Sequence, residues 1–415
     1  MPYDNYKDDT KRAAESLRRS KASARANKER RRKLFIRRTI IVLVGLLAVF
    51  LAVFLLVQLG KLLSGGCGNN GSASNGVVQS TVSDPHGDPS AENGETAPAS
   101  VVTDLTFKTP NIHDDGTTVG HYSSNGGVYI YDRMACELFG WSDSTATDYA
   151  SAVSEFKQKA PEYTVYNMII PNHTEFCLPR RLIEDGSVST RIQSENIEAI
   201  YNSYTADVKP INCYNKLCEH IDEYIYFNTD HHWTGLGAYY AYTAFCEQTG
   251  QTALKLSDCV EHTIPEFEGS LIDYDESLRS NLDTVHWWEF PYDTHAMRQD
   301  NPGDPLYYTS VFYRDESSGP YSYGVFIWGD GPLVVCYNDE LHNGKKIAVI
   351  KESYGNSFAP YLTNNYEEVH VIDFRYFDGS LKSYMQDNGI DEVIFVNNVM
   401  SANTALQVDR IREIF

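Results

Sequence analysis

Two short stretches of the chain carry residue types that could do chemistry together. The first is Asn228-Thr229-Asp230-His231-His232-Trp233-Thr234. An aspartate two residues before a histidine can orient the imidazole and stabilise the imidazolium, as acyl-transfer relays require. The second is Lys351-Glu352-Ser353-Tyr354-Gly355-Asn356-Ser357-Phe358. It follows an apolar run and opens a helical pattern. A serine there stands at a strand-to-helix turn, with its hydroxyl free and backbone N–H groups nearby. The helix N-terminus favours a developing oxyanion. Each stretch also has a plainer reading. Adjacent histidines occur in surface loops, and Ser353 or Ser357 could simply cap the helix. Asp230, His231 and His232 could instead ligate a metal and hydrolyse substrate through it.

A sheet must position both stretches. The hydropathy pattern predicts strands at 128–132, 164–171, 224–227, 346–350, 369–372 and 392–396. It predicts helices at 147–159, 191–204, 235–248, 356–362 and 381–386, with Thr234 capping the third and Gly250 closing it. The strand–helix alternation after residue 345 implies parallel strands with right-handed crossovers. Both stretches then fall at the carboxyl edge of a parallel sheet, where α/β sites are built. Residues 260–340, rich in Trp, Tyr, Asp and Gly, read as an antiparallel excursion or long loops.

The 415 residues carry a formal net charge of −21. That charge is unevenly spread. Residues 1–38 hold 14 Lys/Arg and 5 Asp/Glu, leaving 21 basic and 51 acidic residues for the rest of the chain. No run of basic residues in the main body could neutralise phosphates, so nucleic acid is excluded as its partner. Residues 39–59 form an uncharged apolar run of 21 residues, long enough to cross a bilayer as a helix. The basic flank before it predicts a cytoplasmic N-terminus and an exterior C-terminal body. The length of the run and its distance from residue 1 favour an uncleaved anchor over a signal peptide. Residues 60–104, rich in Gly, Ser, Asn and Pro, read as a flexible tether. Residues 105–415 form one body.

Eight cysteines occur, at 67, 136, 177, 213, 218, 246, 259 and 336, with no C-x-x-C pair to suggest a zinc or redox site. Cys67 closes a Ser-Gly-Gly-Cys stretch like a lipoprotein cleavage box, but Ser64 stands where an aliphatic residue belongs. Cys246 and Cys336 lie in apolar stretches and read as buried thiols. An oxidising exterior allows one or two disulfides, with no pairing assigned.

Asp230-His231-His232-Trp233 followed by Gly237-Ala238-Tyr239-Tyr240 forms one block. Ser353 to Leu362 followed by Val371-Ile372-Asp373-Phe374-Arg375-Tyr376-Phe377 forms another. Together they resemble the bacterial DHHW family, which is similar to the SGNH-hydrolase-like domains of alginate O-acetylation proteins. The resemblance implies an α/β, SGNH-hydrolase-like (flavodoxin-like) parallel sheet flanked by helices, here preceded by the single transmembrane helix. It implies a catalytic Ser353, His232 and Asp230, with His231 in the variable place. Glu352 stands where the family more often has Asp. Tyr354 and Asn398 are candidate oxyanion residues, and Arg375 and Trp233 candidate substrate contacts. No cofactor and no metal is expected for such a relay. The implied activity is O-acyl transfer or acyl-ester hydrolysis on a cell-surface glycan, with a polytopic membrane-bound O-acyltransferase as partner. The alternative is a non-catalytic glycan-binding or scaffolding subunit.

Overall fold

The computed structural model describes residues 105–124, 126–313 and 322–415. The predicted membrane helix, the tether and Cys67 lie outside them. Among the described residues, no helix is long and apolar enough to cross a membrane.

The chain opens with three short strands, β1 (His121–Tyr122), β2 (Val128–Tyr131) and β3 (Met134–Glu137). Helix α1 (Asp143–Lys159) leads into β4 (Thr164–Ile170). Three helices follow, α2 (Thr174–Cys177), α3 (Arg180–Glu184) and α4 (Gln193–Asn202), then β5 (Val208–Pro210). Helices α5 (Tyr214–Glu219) and α6 (Gly235–Thr249) precede β6 (Val260–Phe267) and β7 (Asp283–Glu289). Next come β8 (Thr294–Gln299), β9 (Tyr307–Thr309), β10 (Leu333–Asn338) and β11 (Lys346–Lys351). The C-terminal part holds α7 (Gly355–Phe358), β12 (Glu368–Asp373), α8 (Leu381–Asn388), β13 (Glu392–Asn398), α9 (Val399–Ala402) and α10 (Ala405–Glu413).

The central sheet has eight strands in the order β5-β4-β13-β11-β12-β10-β8-β9. Its first five pair in parallel. The other three join antiparallel along one edge. The expectation of a parallel sheet is therefore corrected to a mixed one. Strands β8 to β10 come from residues 260–340 and form, with the β6–β7 hairpin, the antiparallel excursion expected there. A further three-stranded antiparallel sheet, β1-β2-β3, and the β6–β7 hairpin stand apart.

The parallel strands are apolar on both faces, as strands covered by helices must be. Ile347–Ile350 and Val393–Val396 are fully buried. Tyr166 of β4 pairs with Ile394, while the neighbouring Asn167 pairs with Phe395. Tyr166 and Phe395 therefore point to opposite faces. Phe245 of α6 meets Tyr166, with ring centroids 5.5 Å apart. Phe156 of α1 meets Phe395 at 5.7 Å. The two helices thus cover the two faces of the sheet. Thr234 caps α6, accepting from the Gly237 N–H at 3.2 Å. Gly237 is required by close approach, since a Cβ there would sit 2.3 Å from the Ile225 carbonyl oxygen.

One expected strand is absent. Residues 224–227 form no sheet strand. They fold back on themselves through a single bridge between Tyr226 and Trp233. Their alternating aromatic pattern serves a tight loop, not a sheet edge.

Candidate active site

The 228–234 loop is held by partners distant in sequence. Asp283, buried at the start of β7, accepts from the Asn228 N–H at 2.7 Å, the Thr229 N–H at 2.8 Å and the Thr229 hydroxyl at 2.6 Å. It also accepts from the Tyr224 hydroxyl. Burial raises the Asp283 pKa, and these donors oppose that rise. On the other side, Leu271 donates its N–H to the Thr229 carbonyl at 2.8 Å. Gly269 permits this approach, since a Cβ there would lie 2.3 Å from the Thr229 oxygen.

The loop presents Asp230 and His232 to the turn after β11. Asp230 Oδ1 accepts from the His232 backbone N–H at 3.0 Å and lies 2.6 Å from His232 Nδ1. Asp230 Oδ2 accepts from the Ser270 N–H at 2.8 Å. His232 Nε2 lies 2.7 Å from Ser353 Oγ. The aspartate fixes the ring with Nδ1–H toward the carboxylate, which leaves Nε2 to accept from the serine. Burial alone would raise the Asp230 pKa. The hydrogen bond from His232, the attraction to an imidazolium forming there and the Ser270 N–H outweigh burial and hold the carboxyl well below the ordinary carboxylate range. Asp230 and His232 are 4% and 5% exposed, so the relay is shielded from water. Ser353 is half-buried.

Three features of this site were not legible in the sequence. The Tyr323 ring stacks on the His232 imidazole at 4.1 Å, and its hydroxyl donates to the Ser353 carbonyl at 3.1 Å. Tyr323 comes from the irregular region, and no pattern marks it. Ser270 supplies the second contact to Asp230. The third is a bracket made by Glu352. Its Oε1 accepts from the Asn398 N–H at 2.9 Å and its Oε2 from the Tyr354 N–H at 3.1 Å. Oε2 also lies 3.3 Å from Ser353 Oγ. One carboxyl thus ties the serine turn to the end of the adjacent strand β13. Burial raises the Glu352 pKa, opposed by the nearby Arg375 charge and the two N–H groups. The one sequence signal at this position is Glu where the DHHW family more often has Asp.

The remaining predicted residues take other roles. The Tyr354 N–H and the Asn398 N–H are both held by Glu352, so neither is free for an oxyanion. The Asn398 side chain is also committed. Its Nδ2 donates to the Ile170 carbonyl at 3.1 Å, and its Oδ1 caps α9. The Ser353 N–H has no partner among the described residues and is the available donor at the turn. Trp233 is 0% exposed, and its Nε1–H donates to the Tyr354 carbonyl at 3.0 Å. It packs the loop onto the serine turn and has no face for a sugar. Arg375 makes two hydrogen bonds to Asp373, at 2.8 and 2.6 Å, and one ion pair with Asp330 at 2.9 Å. Lys351, 1% exposed, meets the same two acids at 2.9 and 3.4 Å. The guanidinium therefore braces the sheet edge under Ser353 through Asp373 and Asp330.

Asp230, His231 and His232 also bring ligand atoms within 4.8 Å of one another. Both His232 ring nitrogens are engaged, by Asp230 and Ser353. His231 Nδ1 lies 2.6 Å from Ser270 Oγ. A metal there would have to displace one of these contacts.

The family model described as DHHW protein matches residues 94–372. A solved DHHW family protein from Eubacterium siraeum is 30% identical, with a TM-score of 0.65. The match covers 71% of this chain and 98% of the other. Bacillus cereus PatB1 with a sulfonyl adduct is 19% identical, with a TM-score of 0.56, covering 68% of this chain and 98% of the other. A second structure of PatB1 is 20% identical, with a TM-score of 0.55, covering 70% and 99%. At this identity PatB1 shares the fold. No curated protein matches the sequence significantly.

Proposed function

The chain belongs to the DHHW family, and we propose that it is a membrane-anchored, extracellular O-acyltransferase or acylesterase acting on a cell-surface or secreted glycan. The observation that carries this reading is the unbroken line of short contacts from Asp230 through His232 to Ser353. In the proposed reaction, Ser353 Oγ attacks the carbonyl carbon of an acyl ester while His232 Nε2 takes its proton. Asp230 holds the ring and stabilises the imidazolium. The Ser353 N–H donates to the oxyanion. The imidazolium then protonates the departing alkoxide, leaving an acyl-serine. A sugar hydroxyl or water, deprotonated by His232, attacks that acyl group and frees Ser353.

The resemblance to alginate O-acetylation proteins supports acyl chemistry on a polysaccharide, and supports a polytopic O-acyltransferase as partner. The apolar run at 39–59 supports the membrane anchor. Turnover of p-nitrophenyl acetate tests the catalytic part of the proposal. Wild type should hydrolyse it, and Ser353→Ala should lower kcat by about a thousandfold or more with an unchanged melting temperature. Equal turnover by the two proteins would remove the enzyme reading and leave the non-catalytic subunit.

A further inference from the structure

Cys136 and Cys177 lie on different elements, 41 residues apart, with their sulfur atoms 3.1 Å from each other. Cys136 sits on β3 and is 0% exposed, while Cys177 ends α2 and is 9% exposed. Both belong to a small apolar cluster with Tyr129, Tyr131, Leu178, Leu182 and Val188. The two segments are already fixed against each other. The Thr174 hydroxyl donates to the Glu137 carbonyl at 2.7 Å, which ties the first residue of α2 to the residue after Cys136. A disulfide needs sulfurs about 2.0 Å apart, so closure takes about 1 Å. Among the described residues, no other pair of cysteine sulfurs is in contact.

We propose that Cys136 and Cys177 form a disulfide that staples β3 to α2. The bond forms by exchange with a disulfide of an oxidoreductase or a small molecule. One cysteine thiolate attacks the external disulfide and expels one external thiolate. The second cysteine, as thiolate, then attacks the mixed disulfide and expels the other. Two cysteine S–H bonds and one external S–S bond become one internal S–S bond and two external thiols. Cys177 is one of the residues that line a cavity of about 270 Å³. The exterior location proposed above is where such bonds persist. Strand β3 also touches the root of the candidate site. On β3, the Ala135 N–H donates to the Asn228 carbonyl at 2.8 Å, at the root of the loop that carries Asp230 and His232.

The test uses the full chain in detergent with oxidised glutathione as the oxidant. One sample is oxidised as folded and another during refolding from denaturant, so that burial cannot block the reaction. Both are then unfolded, alkylated and digested. The proposal expects one linked peptide pair carrying Cys136 and Cys177, 2 Da lighter than the reduced pair. It also expects a melting temperature roughly 5 °C above that of the reduced protein. Cys136→Ala and Cys177→Ala should each abolish that rise. Alkylation of both cysteines after oxidative refolding, or their linkage to other cysteines, would overturn the proposal. Neither result bears on Ser353 turnover, so this inference and the enzymatic reading fail independently.

Discussion

The Tyr323 ring lies over the His232 imidazole with centroids 4.1 Å and planes 13° apart. The same side chain donates to the Ser353 carbonyl at 3.1 Å and lies 3.1 Å from the Ser357 hydroxyl. One residue thus touches both ends of the His232–Ser353 contact. Its ring limits rotation of the imidazole, and its hydroxyl fixes the turn that carries the nucleophile.

The two functions of Tyr323 separate by substitution. Tyr323→Phe keeps the stack and loses the hydroxyl contacts, and should lower kcat for p-nitrophenyl acetate by about threefold. Tyr323→Leu loses both, and should lower it by about tenfold or more. Steady-state kinetics at one pH checks the order. Equal losses in the two variants would show that the ring contributes nothing beyond the hydroxyl.

Trp233 is expected to act through packing. Trp233→Phe removes the hydrogen bond to the Tyr354 carbonyl and leaves a small void. It should cost about 2 kcal/mol of stability in chemical denaturation. KM for p-nitrophenyl acetate and for a chito-oligosaccharide acceptor should stay within about twofold. A tenfold rise in the acceptor KM with unchanged stability would restore Trp233 as a substrate contact.

The buried Glu352 carboxyl makes stability depend on pH. Its pKa is raised in the folded protein, chiefly by burial. A raised carboxyl pKa stabilises the fold below the ordinary glutamate value of about 4.3, and the contribution is lost as pH rises through the raised value. Glu352→Gln has no proton to lose. The wild-type melting temperature minus that of Glu352→Gln should therefore fall between pH 4 and pH 8. Thermal unfolding across that range checks it, and a difference that grows with pH would contradict the sign.

The metal reading makes the opposite forecast to the relay. His231 contacts Ser270 and touches neither Asp230 nor Ser353 closely, its Nδ1 being 3.9 Å from Asp230 Oδ1. Turnover should survive chelator within about twofold, and His231→Ala within about fivefold. Loss of turnover in both experiments, with recovery on adding zinc, would replace the relay with a metal centre.

Much of this site was readable because its signals are local. The apolar run IAVI and the serine after it mark the end of β11. The Asp-x-His spacing and the Thr234 cap mark the loop and the start of α6. Each rests on residues within a few positions of one another. Residues 260–340 read as an antiparallel excursion or long loops, and they supply the antiparallel strands β8, β9 and β10, but no hydropathy alternation marks where each strand begins. Tyr224 to Phe227 looked like a strand because alternating aromatic residues fit any half-buried extended segment. Asp283, Ser270 and Tyr323 reach the site across 30 to 91 positions of chain, and nothing in their neighbours points there. Asn398 ends β13, and Arg375 lies two residues past β12. Their partners Glu352, Asp373 and Asp330 determine what they do, and composition does not show those pairings.

In the proposed reaction His232 makes Ser353 a nucleophile. An activated serine hydroxyl displaces fluoride from a sulfonyl fluoride. The most direct measurement is therefore mass spectrometry of the full chain after treatment with phenylmethanesulfonyl fluoride. The account predicts one sulfonyl group per chain, on the peptide carrying Ser353. It should be absent in Ser353→Ala and form about a hundredfold more slowly in His232→Ala. An unmodified Ser353 in folded wild type, or the same labelling rate in His232→Ala, would contradict it.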